Sequence, residues 1–504
     1  HMDYRPWLFL SLKGGFYGIL SEERGMHMET KTSAIRKRHT EIDMTRGSIF
    51  MHLLPFMLPL LAGNIFQQLY NMVDTWVVGN YASNEAFSAV GSAGPITFTL
   101  IGFFMGLSNG AGVITAQYFG AGKPESVQKT VHTDILMTLI LDLLFTGIGI
   151  AFTPTMLVFM QTPEEVLPEA VSYLTIYFAG VSGLMLYNVC SGILQAVGNS
   201  LIPFLALLAC ALMNTVLDLY FVIGLGMGVE GVALATIIAQ YVSAVLVRIA
   251  LMRTDSCIRF RFRKLAIDKA VLGRILRVGF PAALQMAVTS FSNVFVQSYI
   301  NHFGADVMSG WTAYNKIDQL LVLPTKSMAL AATTFVGQNL GAGQEKRART
   351  GMKAALGISL GLALLLGAPS MLFAPSLVGF FNPKAEVIAY GASFLMLTPF
   401  YVFMCINQVT SGALRGAGNS RAPMVIMLGS YVLFRQIYLY VMTNFISNTV
   451  MSVAFGYPLG WIVCSTAMIL YYLRHPLRRV GLGEAPAAAA EAETEEKADP
   501  SAED

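Results

Sequence analysis

Gln117-Tyr118-Phe119-Gly120-Ala121-Gly122 returns further along the chain as Gln338-Asn339-Leu340-Gly341-Ala342-Gly343, a shift of 338 − 117 = 221 residues. Leu194-Gln195-Ala196-Val197-Gly198-Asn199-Ser200 returns as Leu414-Arg415-Gly416-Ala417-Gly418-Asn419-Ser420, a shift of 414 − 194 = 220, with Pro203 answered by Pro423. Pro59 and Asn71 match Pro281 and Asn293 at 281 − 59 = 222. One near-constant shift across almost half of an apolar chain indicates a duplicated helical bundle. Secondary transporters use that architecture to build a site between two halves.

Composition places the bundle in a membrane. Apolar residues make up 55% of the 504, charged residues 12%, and the mean hydropathy is +0.58. Soluble domains carry about 25% charged residues, so most of this surface has to face lipid. The five cysteines are scattered through apolar runs without metal-ligand spacing and read as small core residues. No histidine lies in the middle of an apolar run, which speaks against intramembrane metal or acid–base enzymology, and no cofactor or nucleic-acid partner is expected.

About 20 apolar residues cross a bilayer, and twelve such stretches are predicted near 51–79, 86–118, 131–153, 168–193, 201–224, 229–252, 271–301, 308–338, 350–374, 386–413, 421–446 and 449–473. The expected fold is an all-α integral membrane protein, two six-helix lobes related by a pseudo-two-fold axis along the membrane normal. The expected divisions are an N-terminal segment 1–45, an N-lobe 46–252, a linker 253–270, a C-lobe 271–476 and a disordered acidic tail 477–504. The opening His1-Met2 reads as a remnant of cloning, with Met26, Met28 or Met44 as the native start. Trp7-Leu8-Phe9-Leu10 is too short for a signal peptide.

Basic residues set the orientation through the positive-inside rule. Arg36, Lys37, Arg38 and Arg46 precede the first stretch, Arg253 to Lys269 join the lobes, and Lys346, Arg347 and Arg349 follow the eighth. The opposite loops hold Glu85, Glu164, Glu165, Glu169 and Asp306, with Lys384 as the basic exception. Both termini are therefore expected in the cytoplasm, in a plasma or bacterial inner membrane, with the chain working as a monomer.

A charge at bilayer depth costs at least about 2.5–3.5 kcal/mol on insertion scales. In the first half the deep acids are Asp74, Asp142 and Asp218. Asn64, Gln67, Asn71 and Asp74 are spaced 3, 4 and 3, one helical face, with Tyr70 beside Asp74. Asn214 and Asp218 are i, i+4 on the fifth stretch, and Thr236 and Gln240 lie on the sixth. Asn64, Gln67 and Gln240 read as interhelical hydrogen-bonding glue. Asp74 and Asp218 read as functional, because an amide would serve as glue without the cost of ionisation.

Gln68-Leu69-Tyr70-Asn71-Met72-Val73-Asp74-Thr75-Trp76-Val77-Val78-Gly79 resembles the first span of the multidrug and toxic compound extrusion (MATE) transporters. Asn214-Thr215-Val216-Leu217-Asp218 and Gly231-Val232-Ala233-Leu234-Ala235-Thr236 look like their fifth and sixth spans, and both sets of repeated turns fit. The resemblance covers roughly 45–475. It implies an antiporter that admits Na⁺ or H⁺ while exporting a cationic or amphipathic compound by alternating access of two lobes. It further implies a cation-coupling site at Asp74, Asn214, Asp218 and Thr236. The donor chemistry agrees, since oxygen-bearing side chains with two carboxylates suit either a hard cation or a proton.

The second half lacks those acids: Asp74, Asn214 and Asp218 correspond to Val296, Phe434 and Tyr438. It offers Lys316, Asp318, Lys326 and Arg435 instead. Asp318 reads either as half of a structural ion pair with a neighbouring base or as part of a polar cavity wall. The expected substrate cavity comprises Tyr70, Asn71, Gln285, Lys316, Asp318 and Arg435. The basic residues keep a flippase for lipid-linked oligosaccharide or lipid, from the same wider superfamily, as the rival reading. A membrane-embedded enzyme and a channel are the remoter ones.

Overall fold

The computed structural model describes residues 42–160 and 162–478, and the expected N-terminal segment before 42 and acidic tail after 478 fall outside them. Eleven helices among the described residues are long and apolar enough to cross a membrane, and a bent pair supplies a twelfth span. The spans, numbered one to twelve, are Ile49–Tyr81, Asn84–Gly120, Pro124–Phe159, Leu167–Ala179 with Val181–Ala196, Leu201–Gly224, Val229–Arg253, Lys269–Asn301, Ala305–Gly341, Glu345–Leu372, Ala385–Gly416, Arg421–Ile446 and Val450–Arg474. Span four bends by 43° at Gly180. Each of the twelve predicted stretches finds its helix.

The repeated turns have a shared backbone cause. Gly122 and Gly343 close the second and eighth spans at φ +67° and +75°, and Gly198 and Gly418 close the fourth and tenth at +84° and +83°. A residue with a Cβ is strained in that left-handed region, so glycine recurs at each helix exit. The linker enters span seven through Asp268, whose Oδ1 accepts the N–H groups of Ala270 (3.0 Å) and Val271 (3.1 Å).

The end of the bundle where the chain enters span one also carries these four turns and the basic linker; we refer to it as the basic end. There the cores exchange helices. Leu53, Phe56 and Met57 of span one pack with Met328, Phe335 and Met404 of the C-lobe. Val271, Ile275 and Val278 of span seven pack with Val131, Ile193 and Val247 of the N-lobe. At the other end each lobe keeps its own core, around Val77, Leu157 and Leu174 in one and Val296, Trp311 and Phe394 in the other. The division at 46–252 and 271–476 thus describes the sequence repeat, while packing at the basic end crosses it. Spans two and seven cross closely: a Cβ at Gly106 would lie 2.4 Å from the Ala283 Cα, and one at Gly110 2.4 Å from the Gly279 Cα.

Polar groups join spans as hydrogen-bonding glue. Asn64 Nδ2 donates to Ser327 Oγ at 3.2 Å, across the lobes. Buried Asn407 donates to Tyr431 (3.0 Å) and to the Trp461 carbonyl (3.1 Å), and accepts from Ser465 (2.9 Å). The basic exception Lys384 pairs with Asp306 at 2.6 Å, which raises the Lys384 pKa and neutralises it within the acidic face. No disulfide joins any of the five cysteines, and four of them are buried.

Candidate functional site

Span five is α-helical to Asp218 and then winds as a π-helix over Leu219–Gly224. Such π turns are rare and frequent at functional sites. Asn214 and Asp218 sit on the last full turn, 1% and 0% exposed. They face Asp74 of span one, which lies within electrostatic reach of both carboxyl and amide. The cluster is under-satisfied: Asp74 Oδ1, both carboxylate oxygens of Asp218 and both amide atoms of Asn214 are buried without a well-formed hydrogen bond, though Asp74 lies close to both other side chains. Native proteins pair almost all such groups. Four of these five atoms are oxygens, the donor set of a hard cation or of a shared proton.

Tyrosines close the cluster off. Tyr70 is buried beside Asp74, next to Tyr177. Tyr173 lies within reach of both carboxylates, and its ring stacks on that of Tyr177, centroids 6.3 Å apart. Tyr177 in turn meets Gln240 of span six, which places Gln240 as glue at the edge of the site. Thr236 is buried on span six, but its hydroxyl donates to the Val232 carbonyl at 2.9 Å, and no hydrogen bond joins it to the acids. The structure therefore brings together Asp74, Asn214 and Asp218 and leaves Thr236 on the adjoining helix.

The C-lobe counterpart has the opposite charge. Arg435 is 3% exposed and begins the α-helical turn after a π segment, Gly429–Phe434. Its Nη2 donates to Ser292 Oγ (3.0 Å) and Asn293 Oδ1 (2.9 Å), its guanidinium lies 4.7 Å from the Tyr457 ring centroid, and its Nε is buried unpartnered. Among the described residues no carboxylate pairs with it.

The six residues expected to line one cavity fall into separate places. Tyr70 belongs to the acid cluster, and the Asn71 carbonyl accepts from Thr75. Gln285, midway along span seven, accepts from Arg415 Nη2 at 2.9 Å. Asp318 forms no ion pair within 4.0 Å; it accepts the Tyr401 hydroxyl, with Lys326 in electrostatic reach. Lys316 is exposed and, two residues from Asp318, lies about 200° around the helix from it.

Sequence reasoning missed Tyr173, Tyr177 and Asp134. The tyrosines are i, i+4 and so share a face, a readable signal in an apolar run. Asp134 is 1% exposed with both oxygens unpartnered. It escaped notice because span three starts at Pro124, seven residues before the predicted 131, which carries Asp134 inside the bundle.

The MatE family profile matches residues 59–220 and 281–441, one match per repeat. A probable multidrug resistance protein of Bacillus subtilis, YpnP, is 30% identical over 432 residues, 85% of this chain and 96% of that one. An FAD transporter of Shewanella oneidensis is 22% identical, covering 79% of this chain and 88% of its own. A solved Pyrococcus furiosus transporter of the MOP superfamily, described as having a binding pocket of reversed polarity that suggests a different function, superposes with a TM-score of 0.81 at 24% identity. It covers 86% of this chain and 97% of that one.

Proposed function

From the premise that this chain belongs to the MatE family of multidrug efflux transporters, we propose that it is an antiporter coupled to Na⁺ or H⁺ through Asp74, Asn214 and Asp218. It is a multi-pass membrane transporter of small molecules and not an enzyme. The observation that carries the coupling proposal is the cluster of five buried, unpartnered side-chain atoms between spans one and five. Unmet polar atoms at that depth are costly unless something arrives to meet them. A cation or proton drawn from one side of the membrane would do so, and its release on the other would restore the cost. Thr236 joins the set in this reading by offering its hydroxyl lone pairs, its proton being committed to Val232.

The lobes would rock about a central cavity, exposing the site to each side of the membrane in turn. The concentration of basic residues at one end supports a cytoplasmic location for both chain ends in a cell membrane. Twelve spans with their own internal two-fold support a functional monomer.

A cationic or amphipathic substrate is the first reading, matching a family of multidrug exporters. A second is favoured by Arg435, a guanidinium buried with no carboxylate. Such a group suits an anionic moiety on the cargo, as in a flippase for a lipid with a phosphate-bearing head or a carrier of anionic nucleotides. Proteoliposome efflux of a cationic dye, under an imposed Na⁺ gradient and then an imposed H⁺ gradient, tests the coupling. Efflux accelerated by one gradient supports antiport, and indifference to both refutes it.

A further inference from the structure

The motifs that reveal the duplication meet each other, each in the opposite lobe. Gln117 Nε2 donates to the Gly416 carbonyl at 2.9 Å, and Gln338 Nε2 donates to the Ala196 carbonyl at 2.8 Å. Gln117 and Gln338 are mates at 221, and Ala196 and Gly416 are mates at 416 − 196 = 220. The two bonds are thus one contact made twice across the pseudo-two-fold. Both glutamines are buried, 1% and 0% exposed. The helix ends touch backbone to backbone around them: a Cβ at Gly120 would lie 1.9 Å from the Gln338 carbonyl oxygen, and one at Gly341 2.1 Å from that of Gln117. Those glycines are mates too, which explains why both loops keep them.

A strap crosses the same point. The Ile42 N–H donates to the Val197 carbonyl of the N-lobe at 3.0 Å. Two residues later the strap belongs to the C-lobe: the Met44 N–H donates to Gln338 Oε1 (2.9 Å), and the Met44 carbonyl accepts from Asn339 Nδ2 (3.3 Å) and Arg347 Nη2 (3.1 Å). Arg347 Nη2 also reaches the Arg46 carbonyl at 3.1 Å, and the Met44 side chain is 0% exposed. Gln338 therefore holds the opposite lobe with its amide nitrogen and the strap with its amide oxygen.

We propose that Gln117 and Gln338 form a reciprocal lock, strapped by Ile42–Arg46, that holds the lobes together at the basic end and releases when that end opens. The inference rests on the alternating-access reading above. Polar bonds suit a joint that has to break repeatedly. Parted amides and carbonyls exchange one another for water at little net cost, whereas a broad apolar joint loses its burial outright. Closed, the bonds are dry; removing one glutamine strands a buried carbonyl and penalises only the closed state. Symmetry adds a stricter demand: loss of either glutamine should weaken the closed state, and loss of Gln338 more, because it also carries the strap.

Spin labels at Glu125→Cys and Lys346→Cys, exposed mates at 346 − 125 = 221, report lobe separation at this end. The full chain, with its five native cysteines replaced, is measured in lipid nanodiscs without substrate or gradient. Gln117→Leu is expected to raise the ratio of long to short distances about tenfold, and Gln338→Leu, which also frees the strap, by somewhat more. Arg347→Gln, which loosens the strap but neither glutamine bond, should shift it the same way but less. An unchanged distribution in both leucine variants, or a shift in only one, overturns the lock. If the leucine variants do not fold, Gln117→Asn and Gln338→Asn, whose amides stop one methylene short, carry the same expectation and the same overturning result. The readout needs no transport. A shifted distribution in a protein that moves no ion leaves the lock standing and removes the antiport proposal, while gradient-driven efflux with unmoved distances does the reverse.

Discussion

Arg435 grips Asn293 at 2.9 Å, and Asn293 is the repeat mate of Asn71, three residues before Asp74. The seventh and eleventh spans therefore meet as the first and fifth do, with a guanidinium near the place where the N-lobe has carboxylates. Gene duplication preserved the geometry and the sequence inverted its charge. Arg435→Gln keeps an amide near Asn293 while removing the charge. It should change substrate preference or apparent affinity by about tenfold, the value of a charge-assisted hydrogen bond, and leave Na⁺ or H⁺ affinity within about twofold. Calorimetry of ion binding beside dye efflux measures both. If ion affinity falls as far as it does for Asp218→Asn, the lobes do not divide these tasks.

The span count was legible because lipid requires a continuous apolar run, and no loop can imitate one. The acid cluster was legible for a related reason: Asp74 and Asp218 break such runs at a cost that glue does not require. The cavity residues were not legible. Lys316 and Asp318 are close in sequence and on different faces, and Gln285 is claimed by Arg415, a partner 130 positions away. The exchange of helices between cores was also hidden, since a repeat reports ancestry and says nothing about which core a helix half enters. Gln117 and Gln338 stood in plain view within the repeated motifs, yet their role needed the two turns to be seen against each other.

Orientation can be tested with single cysteines. Glu165 and Arg261 are both exposed, at opposite ends of the bundle. With the five native cysteines replaced, Glu165→Cys should react with an impermeant maleimide on intact cells, and Arg261→Cys only after lysis. Reversed labelling would overturn the cytoplasmic placement of the chain ends.

Stability of the C-lobe should depend on Asn407, which is 0% exposed and bonds to spans eleven and twelve at once. Interhelical hydrogen bonds in membranes average about 0.6 kcal/mol each. Asn407→Leu loses three, so a loss of about 2 kcal/mol is expected. Thermal unfolding in detergent should show a clearly lowered midpoint. An unchanged midpoint would mean the network contributes nothing net.

The acid pair gives the sharpest test of coupling. Asp74→Asn and Asp218→Asn each replace a carboxylate by an amide of nearly equal volume, so packing against Tyr70 and Tyr173 should survive. What is lost is an ionisable oxygen within a set of four unpartnered oxygens. A neutral amide can neither balance a Na⁺ at that depth nor take up and release a proton. Each single variant should therefore keep its fold and lose gradient-driven export, with ion affinity down by about a hundredfold or more, the scale of a buried charge pair. Because the two carboxylates act on one another, the double variant should be hardly worse than either single one, the signature of residues that work as a unit. Ion binding measured by calorimetry or intrinsic fluorescence, alongside efflux from liposomes, reads both effects. Full gradient-driven transport by both single variants would remove the N-lobe cluster from the mechanism, and strictly additive losses would make the two carboxylates independent sites.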